Sequence, residues 1–159
     1  MSPVPTDSAA HGPLDDLSLA IIEQLQEDGR RSFAAISKAV GLSEAAVRQR
    51  VAKMVDTGII QVVAITDPAH LGYSRVAMIG VTVSGDIDEA VEAIAAYPEV
   101  DYVVVTAGSF DLLVEVVCAD DAHLLALINK HIRMLPAVLR TETFMYLKLR
   151  KQTYTWGPR

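Results

Sequence analysis

The chain has 159 residues, 51% of them apolar, and a formal net charge of −6. That length suits one or two domains and buries roughly two thirds of the unfolded surface. No apolar run nears the ~20 residues of a membrane span, and the acidic balance, taken whole, argues against a nucleic-acid partner.

Residues 1–13 carry three prolines and neither a basic nor a hydrophobic stretch, so they read as a disordered arm and not as a secretory signal. Leu14, Leu17 or Ser18, Ile21, Ile22 and Leu25 share one face, which predicts a first helix over Leu14–Gln26. Ile36 and Val40, four apart, mark a second helix, Phe33–Val40. Gly41 supplies the left-handed residue of a tight turn, Leu42 plugs it, and Ser43 is an N-cap for a third helix reaching Asp56. Val47, Val51 and Met54 turn inward, while Ala45, Arg48, Gln49, Ala52 and Lys53 occupy the opposite face. Gly58 ends that helix at C′, and Ile59–Thr66 reads as a β-branched strand leaving the unit. Residues 14–66 are thus expected to form a winged-type helix-turn-helix domain whose third helix enters a major groove.

The local charge is opposite in sign to that of the whole chain. From Arg30 to Lys53 the cations are Arg30, Arg31, Lys38, Arg48, Arg50 and Lys53, against Glu44 alone. Affinity for phosphates comes from nearby cations that displace counterions, so a basic island inside an acidic protein serves.

A linker over residues 67–74, punctuated by Pro68 and Gly72, precedes a second pattern. Strand Arg75–Val83, helix Ile87–Ala96 and strand Val100–Thr106 are echoed by strand Phe110–Cys118, helix Ala122–Met134 and strand Val138–Leu149. Two βαβ halves in series predict a ferredoxin-like sheet over residues 75–150 with both helices on one face, followed by a tail at 151–159. The fold class is α+β. Val103-Val104-Val105 and Leu112-Leu113-Val114 are apolar on both faces, so the face without helices needs a cover. A second copy of the sheet is the economical cover, hence a dimer through this domain. Cys118 is the one cysteine, which excludes an intramolecular disulfide and fits a reducing cytosol.

Leu14-Asp15, Asp28-Gly29-Arg30, Val40-Gly41-Leu42-Ser43, Val47 with Arg50, Gly58-Ile59-Ile60, Leu71-Gly72 and Gly108-Ser109-Phe110-Asp111 follow in an order and spacing that resembles the Lrp/AsnC transcription factors. Ser18, Ser37, Ala46 and Phe110 depart from that family's usual residues. The resemblance implies a DNA-binding domain joined to a RAM-type ligand-sensing domain, with dimers assembled into octamers and a location on the nucleoid in the cytoplasm.

Arg48 and Gln49 stand early enough in the recognition helix to reach base edges, arginine suiting guanine and glutamine suiting adenine. Ala45 is the short neighbour on that face. Lys38, Ser43, Arg50 and Lys53 are placed as phosphate anchors on double-stranded DNA. Arg50 has an alternative, a structural pairing with an acid of the first helix. The loop Gly108, Ser109, Phe110 and Asp111 also has two readings. It is an ordinary hairpin, with Gly108 at positive φ and Asp111 bonding the turn, or its amides hold a carboxylate while Asp111 accepts an ammonium. The second reading suits an amino-acid effector, and the resemblance places such a site between subunits.

No nucleophile elbow, phosphate-binding glycine motif or metal-spaced His/Cys set appears, so neither an enzyme nor a cofactor is expected. The rivals are a nucleoid-architectural protein without an effector and, from a distant branch resembling the family, a tetrapyrrole decarboxylase-like enzyme.

Overall fold

The computed structural model describes residues 14–153. The chain forms two compact units, divided between Ala64 and Ile65. The expected arm and most of the expected tail lie outside the described residues.

The first unit holds α1 (Asp16–Glu27), α2 (Phe33–Val40) and α3 (Glu44–Asp56). Each helix starts where a short polar side chain captures an orphan amide: Asp15 accepts from Ser18 N–H, Ser32 from Ala35 N–H and Ser43 from Ala46 N–H. Gly41 adopts φ +73 between α2 and α3. Gly58 adopts the same φ after α3, where its N–H and that of Ile59 reach the carbonyls of Val55 and Met54 at 3.0 and 2.8 Å. Ile21, Ile36 and Val47 are fully buried, with Val51 and Met54 beside them and Phe33, Val40, Leu42 and Ile59 around the edge. The three-helix unit is therefore a helix-turn-helix.

The strand expected over Ile59–Thr66 does not form, and so the unit carries no wing among the described residues. Val62 and Val63 are exposed. A β-ladder needs a second strand to receive its amides and carbonyls, and β-branched composition alone supplies none. Asp67 caps a short 3₁₀ turn, Pro68–Leu71, in the expected linker.

The second unit is a four-stranded sheet. Its strands are β1 (Arg75–Val83), β2 (Val100–Val105), β3 (Leu112–Cys118) and β4 (Val138–Met145), in the order β2-β3-β1-β4 with every pair antiparallel. α4 (Ile87–Ala95) and α5 (Asp121–Ala126, continued by one wide turn and one tight turn to Met134) supply Ala90, Ile94, Leu124, Leu127, Ile128 and Ile132. These pack on Ala77, Ile79, Val81, Leu112, Val114, Val116 and Cys118, which all point to one side. That is the expected ferredoxin-like arrangement.

Burial along β3 alternates strictly, with Leu113, Glu115 and Val117 half-buried between fully buried neighbours. The register puts Met78, Gly80, Val104, Leu113, Tyr102 and Phe144 on the other side of the sheet. Tyr102 and Phe144 are exposed there. β4 ends at Met145 and not at Leu149. The paired register with β1 runs from Val83–Val138 to Ala77–Met145, and one further bond follows it, from Tyr146 N–H to the Val76 carbonyl at 3.0 Å.

Candidate nucleic-acid interface and effector loop

On α3, Ala45, Arg48, Gln49, Ala52 and Lys53 are all exposed, and the buried Val47, Val51 and Met54 face the unit's core. Ser43 is exposed at the start of the helix, but its hydroxyl oxygen accepts from Ala46 N–H at 3.2 Å. Lys38 is exposed in the last turn of α2. Lys38 and Lys53 form no ion pair among the described residues, so both ammonium groups are available to an outside anion.

Arg48 is held within the unit although it is exposed. Its Nη2 donates to Glu44 Oε1 at 3.0 Å, and its guanidinium carbon lies 5.0 Å from the centre of the Phe33 ring. An acid four residues before an arginine was visible in the sequence as a helical pair. The contact with Phe33 crosses between helices, and no spacing rule announces it.

Arg50 takes the structural role that stood as its alternative. Nη1 donates to both oxygens of Asp15, at 2.9 and 2.7 Å, and to Ser18 Oγ at 3.0 Å. The buried Ser18 completes this arginine's site. Arg31 likewise turns to α1, with Nη1 donating to Gln24 and Glu27. Of the six cations in the basic island, two are therefore committed to holding α1.

In the second unit, Gly108 and Ser109 are exposed between β2 and β3, and their amides bond to nothing among the described residues. Gly108 is not at positive φ, contrary to the hairpin expectation. A Cβ placed on it meets nothing within 4 Å. Nothing in the chain's own geometry demands glycine there. Phe110 leaves the loop and lays its ring against the backbone of Gly80, where an added Cβ would come within 2.7 Å. Phe144 meets that ring edge-on at 6.0 Å, and the Arg140 guanidinium stands 5.9 Å from its centre. Asp111 reaches past the turn to β1: its N–H donates to Val81 at 3.0 Å, and Oδ2 accepts from Val83 N–H at 2.9 Å.

No helix among the described residues is long and apolar enough to cross a membrane. No three His, Cys, Asp or Glu side chains among them gather as a metal set.

The sequence model of an AsnC-type helix-turn-helix domain matches residues 14–55, and that of a C-terminal dimeric alpha+beta barrel domain of AsnC type matches 73–159. The chain belongs to the Lrp/AsnC family. It is therefore a transcriptional regulator with a DNA-binding helix-turn-helix. Among relatives, the transcriptional regulator FL11 of Pyrococcus horikoshii is 36% identical over 143 residues, covering 89% of this chain and 94% of its own. The leucine response regulatory protein LrpA of Mycobacterium tuberculosis superposes with a TM-score of 0.83 at 26% identity, over 91% of this chain and 100% of its own. A transcriptional regulator of Neisseria meningitidis, solved as a complex with L-Met, superposes with a TM-score of 0.77 at 25% identity, over 89% and 95% of the two chains.

Proposed function

We propose that this Lrp/AsnC protein reads a specific DNA site with α3, dimerises through the open face of its sheet, and is modulated by a small amino acid at the Gly108–Asp111 loop. The DNA reading rests on the exposed face of α3. Arg48 and Gln49 there are the base-reading side chains, and Ala45 lets the helix approach closely. Lys38, Lys53 and the N-terminus of α3 at Ser43 anchor phosphates. Arg50 is withdrawn from that set, because its guanidinium is engaged by Asp15 and Ser18.

The effector reading is supported by the Gly108 and Ser109 amides, which are unengaged among the described residues and can donate to a carboxylate, and by the carboxylate of Asp111 in the same loop, which can accept from an ammonium. A glycine that the chain's own geometry does not require fits a position that something outside the chain approaches. The Neisseria relative's L-Met complex makes an amino acid the first ligand class to test. Exposed Tyr102 and Phe144 on the helix-free side, together with Met78, Val104 and Leu113, supply the apolar face for a second copy. Four such dimers would make an octamer.

Thermal denaturation of the full chain against each of the twenty amino acids tests the effector reading. A ligand of the native state at a hundred times its Kd adds about 2.7 kcal/mol of stability. No shift with any amino acid would leave a DNA-binding protein without this effector class. Light scattering on the same sample reads the assembly, and a monomer would remove the dimer reading.

A further inference from the structure

We infer that Phe33 of α2 and Glu44 of α3 position Arg48 for base reading, so that discrimination at one base pair depends on two side chains that need touch no base. The inference rests on the proposed role of Arg48 in DNA recognition. The two contacts use different parts of the guanidinium. The Phe33 ring lies 5.0 Å from its carbon, while Glu44 Oε1 takes one hydrogen from Nη2 at 3.0 Å. Arginine carries five N–H donors in a rigid fork, and guanine needs only two of them for its O6 and N7. Glu44 therefore occupies one donor and leaves the rest of the fork for DNA.

The platform is itself anchored. Phe33 follows the Ser32 cap as the first residue of α2, and it packs against the cluster of Ile36, Val47 and Met54. Arg48, in contrast, has a side chain 64% exposed, and an exposed arginine free of contacts loses rotamer freedom when it docks. Stacking and the ion pair restrict it before DNA arrives. Gln49 and Lys53 on the same face make no such side-chain contact among the described residues, so the restraint is particular to Arg48.

Glu44 has a second effect of opposite sign. It is the single acid between Arg30 and Lys53, and it sits beside the phosphate-facing surface. Its charge weakens attraction to any DNA, while its hydrogen bond sharpens the choice among sequences. Removing it should move affinity and specificity in opposite directions, which a residue with a purely structural role would not do.

The test uses full-length protein, a duplex selected by the wild type from a randomised pool, single-base variants of that duplex, and a random-sequence duplex. Arg48→Ala should flatten the preference at one base position. Phe33→Leu, which keeps an apolar residue on the core, should lower preference at that same position about three- to fivefold, and Phe33→Tyr should retain it. Glu44→Ala should lower the same preference while tightening binding to the random duplex. In the Arg48→Ala background, Phe33→Leu should change nothing further at that position. If Arg48→Ala flattens a position but neither Phe33→Leu nor Glu44→Ala does, the positioning inference fails while the DNA-reading role of Arg48 stands. If Arg48→Ala leaves every position unchanged, that role fails and the inference with it. Equal weakening on all sequences by Phe33→Leu would make the ring a packing residue only. Should Phe33→Leu not fold, the opposite movements expected of Glu44→Ala decide the matter alone, and their absence overturns the inference.

Discussion

Arg50 of α3 grips Asp15, the N-cap of α1, with Nη1 2.9 and 2.7 Å from the two carboxylate oxygens. One cation of the DNA-binding segment thus closes the three-helix unit, and the cap of one helix doubles as the counter-ion of another. The Ser18 hydroxyl, the Arg50 guanidinium and the Ser18 amide together bring the Asp15 carboxyl down to about 2. A carboxyl that is more acidic in the folded chain stabilises the fold at every pH above its unfolded value, which is near 3.9. That stabilisation fades as pH falls from about 4 towards 2. Asp15→Asn keeps an oxygen to cap Ser18 but loses the charge. Its Tm should lie below that of wild type at pH 7, with the gap narrowing as pH drops through that window in a series of thermal melts.

Lys53 should behave differently from Arg48. It has no ion pair among the described residues and lies on the exposed face, so Lys53→Ala should weaken binding to all sequences about equally. Its signature is the salt dependence. The slope of log K against log salt should fall by roughly 1 unit for the lost phosphate contact, measured by fluorescence anisotropy over a salt series.

Gly80 is the floor under Phe110. A Cβ at that position meets the ring at 2.7 Å, so Gly80→Ala forces the ring off the sheet and away from Phe144. Overpacking of this kind costs roughly 1–3 kcal/mol in chemical denaturation. The double variant Gly80→Ala with Phe110→Ala should recover part of that loss. A single variant as stable as wild type would show that the ring moves aside freely.

Asp111 needs a conservative test because its Oδ2 accepts the Val83 amide at 2.9 Å. Alanine would leave that amide without its partner and confuse folding with binding. Asp111→Asn keeps the acceptor and removes the charge that would pair with an ammonium. It should fold with nearly wild-type stability, bind DNA nearly as well without ligand, and lose the amino-acid-induced shift in Tm. An unchanged shift would place the ammonium contact elsewhere.

Elements whose determinants are local were legible in the sequence. Ile36 and Val40 at helical spacing, Gly41 in the turn and Ser43 as a cap defined the helix-turn-helix, and β1 follows its expected span. Both helix periodicity and cap chemistry act within about four residues, so one sequence suffices to read them. The ferredoxin-like sheet was legible from a longer pattern, the two echoed βαβ halves. Elements defined by pairing were decided elsewhere. Ile59–Thr66 has the composition of a strand and no ladder, and β4 stops at Met145, where its paired register with β1 ends. The fate of each cation was also a tertiary matter. Arg48, Arg50 and Lys53 are equally charged on one helix, yet one is stacked on Phe33, one is bound by Asp15 and one has no ion pair among the described residues. Asp15 is 35 residues from Arg50 in sequence, and only the packing of α1 against α3 brings the two charges within hydrogen-bond distance, where their interaction outweighs what water offers each alone.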